Sequence, residues 1–180
     1  EFEDSYNRVY GLDGRFSFSS QDVLTVQGLY SQTKEIGAKK EINDPAIYLK
    51  YWRGGSAWNA QILYNDYAPD FRVQNGFVSR SDIIADGFRE MGTQIWYNMQ
   101  WRENALLFMR PYVFISRIFD HDGAVLEDNL WLSSFFRFNF QTELTLYYYF
   151  SKERFAGTTF NKNNFSIDLE NATLPWLELN

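Results

Sequence analysis

Runs in which apolar and polar residues alternate one for one constrain this chain more than any other feature. Residues 57–64 place Trp58, Ala60, Ile62 and Tyr64 on one side and Asn59, Gln61, Leu63 and Asn65 on the other. That period of two belongs to a β-strand with one apolar and one wet face, because successive side chains of a strand point to opposite sides. The same pattern recurs along the chain. Residues 9–19 and 23–33 read as a hairpin over residues 19–22, and residues 46–53 and 57–67 as a second over Gly54-Gly55-Ser56. Residues 92–101 and 105–120 form a third over Arg102-Glu103-Asn104, followed by Asp120-His121-Asp122-Gly123, whose closing Asp-Gly is a turn signal. Residues 126–140, 143–151 and 160–169 follow as strands, and a tenth opens at Trp176. Pro111 falls inside a strand and has no N–H to donate, so it predicts a bulge or a locally unpaired position.

Aromatic residues make up 19% of the chain and charged residues 22%, with a mean hydropathy of −0.42. No stretch approaches the eighteen or so consecutive apolar residues of a membrane helix. A β-barrel in a membrane is compatible with these values, since residues facing its interior dilute the apolar ones. With no cysteine the chain has no disulfide framework and no thiolate metal site. A formal charge of −6 argues against nucleic acid as a partner. The 180 residues suit a single domain, 1–180. Its opening Glu1-Phe2-Glu3-Asp4 reads as an excerpt from a longer, exported precursor.

Connection lengths sharpen the expectation. Connections 1–2, 3–4, 5–6, 7–8 and 9–10 read as short, 2–3, 4–5 and 8–9 as long, and 6–7 as intermediate. Outer-membrane barrels alternate in this way, with short periplasmic turns and longer outer loops. Trp52, Trp58, Trp101 and Trp176 lie beside short turns, where an interfacial aromatic girdle would sit. The opposing positions, Asp13, Arg15, Gln27, Lys50, Asn59, Gln61, Gln94, Asn98, Arg137, Asn139, Glu143 and Thr145, suit a wet lumen. They would make a poor packed core, since each would need a buried partner. The expected fold is all-β: an antiparallel up-and-down transmembrane β-barrel segment of about ten strands, part of a larger barrel. A soluble lipocalin-like ligand-binding barrel is the alternative.

The longest polar interruption, residues 65–82, contains Pro69 and Gly76 but also Phe71, Phe77 and Val78, so it predicts a folded loop with apolar anchors. Within it, Tyr67-Ala68-Pro69-Asp70-Phe71-Arg72 and Asn75-Gly76-Phe77-Val78-Ser79-Arg80-Ser81-Asp82 resemble the segment SPDFRADLGFVPRTD of a family of bacterial outer-membrane barrels. That family is domain of unknown function 5916 (DUF5916), the barrel that follows a family-nine-type carbohydrate-binding module. Ser79 stands where the family's V-P-R-x-D motif has proline, and Asn7-Arg8-Val9-Tyr10-Gly11-Leu12-Asp13 adds weaker support. The resemblance implies an uncharacterised, porin-like barrel of the Gram-negative outer membrane, in contact with its lipid, that anchors or assists carbohydrate binding or uptake. A structural or adhesive surface barrel is the other functional expectation.

Tyr67, Asp70, Phe71, Arg72, Phe77, Arg80 and Asp82 are the ligand-binding candidates. The aromatics could stack on sugar rings while Asp70 and Arg72 bond hydroxyls. The structural reading has Phe71 and Phe77 pinning the loop to the barrel mouth and Arg72 and Arg80 bridging to wall carboxylates. His121, the only histidine, sits among turn residues rather than converging ligands. No metal, cofactor or catalytic motif is expected, since Ser-His-Asp spacing, a phosphate-cradling glycine loop and metal signatures do not occur. The expectation is that the protein is not an enzyme.

Overall fold

The computed structural model describes residues 5–38, 40–73, 87–155, 157–172 and 178–179. Among them the alternating segments form eleven strands and no helix: β1 (Tyr6–Ser17), β2 (Asp22–Lys34), β3 (Ile42–Gly54), β4 (Trp58–Tyr67), β5 (Phe88–Tyr97), β6 (Met99–Gln100), β7 (Leu106–Phe119), β8 (Val125–Phe138), β9 (Thr142–Phe155), β10 (Thr158–Asn171) and β11 (Glu178–Leu179). All lie in one antiparallel sheet, in up-and-down order from β1 to β11, with β6 continuing β5 against β7. Among the described residues the sheet does not close on itself.

Register assigns every strand residue to a side, because directly paired residues of antiparallel strands share a face. One row runs Asp13, Gln27, Tyr48, Asn65, Glu90, Ile118, Glu127 and Glu153. On this polar face also stand Arg15, Lys50, Gln61, Gln94, Arg137, Glu143 and Thr145. Asn98 lies in the gap between β5 and β6, and Asn139 in the β8–β9 turn. The other face carries almost every exposed large apolar strand residue. Leu12 is 81% exposed and Phe165 62%, and Ile62, Met91, Ile115 and Leu132 join them. Ion pairs bound this apolar band: Arg53 to Asp22 at 3.0 Å near the β3–β4 turn, and Arg117 to Asp128 at 2.5 Å toward the opposite end.

The band runs obliquely to the hydrogen-bonded rows. On β1 the apolar-face residues Tyr10 to Phe16 centre on Asp13, whose row reaches Glu153 on β9. The corresponding β9 residues Leu144 to Phe150 centre on Tyr147, six positions away. Six residues at about 3.3 Å against seven strand spacings at about 4.8 Å place the band roughly 30° off the rows. Strands that cross a level band at such an angle are tilted to its normal. Closed barrels impose a similar tilt of about 35–45°.

Three expectations are corrected by the structure. The β9–β10 connection is not a long loop but residues 156–157, with Gly157 at φ 79°. Lys152, Glu153 and Arg154 look like loop by charge yet continue the ladder opposite Asn161, Phe160 and Thr159. The long connections therefore reduce to residues 35–41 and 68–87, and strict alternation of short and long is lost. β3 also starts at Ile42 rather than Ala46, carrying Asn43, Asp44 and Pro45 into the sheet. Third, Trp52 lies on the polar face, paired with Val23 and Gln61, and so takes no part in a girdle on the apolar one. Trp58 is exposed on the apolar face beneath the Arg53 guanidinium, 5.1 Å from its ring, and Trp176 lies outside the described residues. Pro111 produces no bulge. Trp96 pairs with Tyr112 and Met99 with Met109 in one continuous register, and the ladder lapses only between, where Pro111 lacks an N–H.

Candidate functional site

After β4 the chain folds back across the polar face of the neighbouring strands. A turn closes with Phe71 N–H donating to the Ala68 carbonyl at 3.0 Å, and Ala68 N–H reaches the Pro45 carbonyl on β3 at 3.2 Å. Asp70 N–H donates to the Asp44 carboxylate at 2.8 Å, Arg72 N–H to the Ser31 hydroxyl at 3.0 Å, and the Asn7 side-chain amide to the Arg72 carbonyl at 3.0 Å. Residues 68–72 thus form a strap that crosses from β4 over β3 and β2 to β1. It covers Ser31, which is 0% exposed although it sits on a polar face. Phe71 is 3% exposed, with its ring 6.0 Å from Tyr67, itself 5.0 Å from Phe88.

Of the seven loop candidates, Tyr67 and Phe71 belong to this buried ring cluster, and Asp70 and Arg72 hold the strap. Phe77, Arg80 and Asp82 lie outside the described residues. Among the described residues Arg72 bridges to no wall carboxylate. Its Nη1 donates to the carbonyls of Pro69 at 2.7 Å and Phe71 at 3.2 Å, and its Nη2 lies 3.9 Å from Asp70 Oδ1. The guanidinium closes its own turn, where three acceptors lie within reach. Beside the strap, His121 Nε2 is 3.0 Å from the Tyr67 carbonyl and 3.4 Å from Asp66, and Arg89 Nη2 is 3.1 Å from the His121 carbonyl. Asp120 accepts from Ala124 N–H at 2.7 Å and completes the turn. Among the described residues no three His, Cys, Asp or Glu side chains gather around a common point.

A second feature follows from register, and loop-centred reading of the sequence missed it. On the polar face Trp52, Trp96, Tyr112, Trp131 and Tyr147 form a row from β3 to β9, in steps of 5.3, 6.3, 6.2 and 6.3 Å between ring centres. Successive planes are inclined by 39° to 80°, in the tilted and edge-to-face arrangements that aromatic quadrupoles favour. Amides accompany the rings. Tyr112 donates to Gln94 at 2.8 Å and Tyr149 to Asn129 at 2.9 Å, while Asn59, buried and paired across from Trp96, keeps an unpartnered side-chain N–H. At its β8–β10 end the row opens into a cleft of about 610 Å³ lined by Trp131, Tyr147, Tyr149, Lys162, Asn164 and Ser166. Trp131 is 42% exposed there, one of few large apolar side chains so exposed on this face. Each aromatic was visible in the sequence as a polar-side interruption of alternation, but only cross-strand register joins them.

Fold and site together define a two-faced antiparallel meander whose polar side carries a strapped end and an aromatic-lined cleft. Compared with protein-family models, curated proteins and solved structures, the chain matches none.

Proposed function

We propose that this chain is a wall segment of a bacterial outer-membrane β-barrel, with the apolar band against lipid and the polar face toward an aqueous lumen, serving carbohydrate binding or uptake at the cell surface. The observation that carries this reading is the segregation of exposed apolar side chains onto one face across the whole sheet, bounded by ion pairs at both ends. A soluble sheet would have to cover such a band, since exposed patches beyond a few hundred Å² are rare on monomers. Its dimensions support the reading. From Leu130 to Phe138, β8 advances roughly 26 Å at about 3.3 Å per residue. Allowing for tilt this is somewhat below the apolar band of about 25 Å expected of outer-membrane barrels. The free edges at β1 and at β10–β11 would then be paired by further strands, because lipid offers no hydrogen bonds to an open edge.

Carbohydrate enters through the resemblance of residues 67–82 and through the mix of aromatic faces and amides on the polar side. The test is envelope fractionation of the full-length protein, followed by gel mobility with and without boiling. The expected result is recovery in the outer membrane with a folded band that shifts on heating. A soluble periplasmic protein without a heat-dependent shift would contradict the reading and turn the polar face into the cavity of a soluble cup.

A further inference from the structure

We propose that the cleft at Trp131, Tyr147 and Tyr149 is a binding site for neutral oligosaccharides, and that the ring row leading to Trp52 extends it along the sheet. The inference rests on the barrel reading above for its orientation, and adds to it a site and a ligand class. A pyranose ring presents C–H groups on its faces and hydroxyls around its rim. The negative face of an indole or phenol attracts the C–H side, and short donors and acceptors beside it satisfy the rim. The cleft has this composition: an exposed indole, two phenols, and the side chains of Asn164, Ser166 and Lys162 on the neighbouring strand. Lipid chains would leave those polar groups without partners, at a cost in every bound state.

Charge selects neutral sugars over acidic ones. Along β9 the two tyrosines lie between Glu143 and Glu153, and along β10 Asn164 and Ser166 are followed by Asp168 and Glu170 on the same face. Lys162, 6.0 Å from the Tyr149 ring, is the cation that lines the cleft. Glu143 is held by Arg137 at 2.7 Å, while Glu153, Asp168 and Glu170 outnumber Lys162, so a polyanionic chain would meet more carboxylates than cations. Because rings continue through Tyr112 and Trp96, affinity should rise with the number of sugar units.

The experiment is calorimetric titration of the full-length protein, held in a sugar-free polyoxyethylene detergent, with maltose, maltohexaose, cellobiose, cellohexaose and hexagalacturonate. At least one neutral hexasaccharide should bind saturably, at least tenfold more tightly than its disaccharide and than the acidic hexamer. Trp131→Ala should weaken it tenfold or more, and Trp131→Tyr should restore most of the loss. Asn164→Ala provides a second, milder variant. The heat-dependent gel shift is read on every sample. Wild-type protein that keeps the shift yet binds no neutral hexasaccharide overturns the site while leaving the barrel intact, as does a folded Trp131→Ala variant that binds like wild type. Loss of the barrel itself would appear separately, as absence of the shift in wild-type protein.

Discussion

At the scale of single residues, the strap depends on two positions that tolerate little change. Gly87 adopts φ 66°, and a Cβ built there would lie 2.4 Å from the Tyr67 carbonyl oxygen and 2.6 Å from Pro69 N. The left-handed backbone alone costs an L-residue about 1–2 kcal/mol, and these close contacts are with backbone that cannot rotate away. Gly87→Ala should therefore unseat the strap, seen as faster tryptic cleavage after Arg72. Gly157→Ala, also left-handed but with open space around its Cβ, should cost only about 1–2 kcal/mol and leave that cleavage unchanged. Phe71→Ala removes a buried ring, a loss of about 3–5 kcal/mol in a packed site. Each strap hydrogen bond contributes only about 1 kcal/mol. The ring is thus the main fastening, and Phe71→Ala should expose Arg72 to trypsin more than Ser31→Ala does. The sequence singled out Phe71 as an anchor but not the strap's seat, because Asn7, Ser31 and Asp44 are far from it in the chain, and Asn7 and Asp44 fall outside the strands that alternation marks at 9–19 and 46–53.

For the strands, alternation was legible and register was not. Polar-face assignments for Asp13, Gln27, Gln61, Gln94 and Glu143 could be read from period alone, since each depends only on its own neighbours. Nearness to a turn puts Trp52 in a girdle, yet parity sets it opposite Gln61. The β9–β10 turn was hidden because Lys152, Glu153 and Arg154 carry charge at the end of a strand, where composition alone cannot tell a rim from a loop. The ring row was hidden for a further reason: its members are adjacent only across strands. Two neighbouring β8 positions test the division between faces. Leu132→Arg puts a cation on the apolar band and should destabilise the folded protein by about 2–4 kcal/mol in bilayers. Ser133→Arg, on the polar face, should change stability by less than about 1 kcal/mol, since surface substitutions are usually small in effect. Urea titration in lipid vesicles compares the two, and equal losses would contradict the assignment of faces.

In the whole molecule, the slant of the apolar band, the ion pairs that bound it and the strap across the polar face are the features on which the proposed membrane geometry rests. The measurement that tests this most directly uses the absence of cysteine from these 180 residues, with any cysteine elsewhere in the full-length protein replaced by serine. Single cysteines at Leu130, Trp131, Leu132, Ser133 and Ser134 on β8 would each carry a spin label in full-length protein reconstituted in vesicles. Accessibility to oxygen, which concentrates in lipid, would be compared with accessibility to a water-soluble nickel chelate. Labels at 130, 132 and 134 should favour oxygen and those at 131 and 133 the chelate, with Ser134 on the lipid side despite its hydroxyl. Chelate access at all five positions would contradict a lipid-facing band.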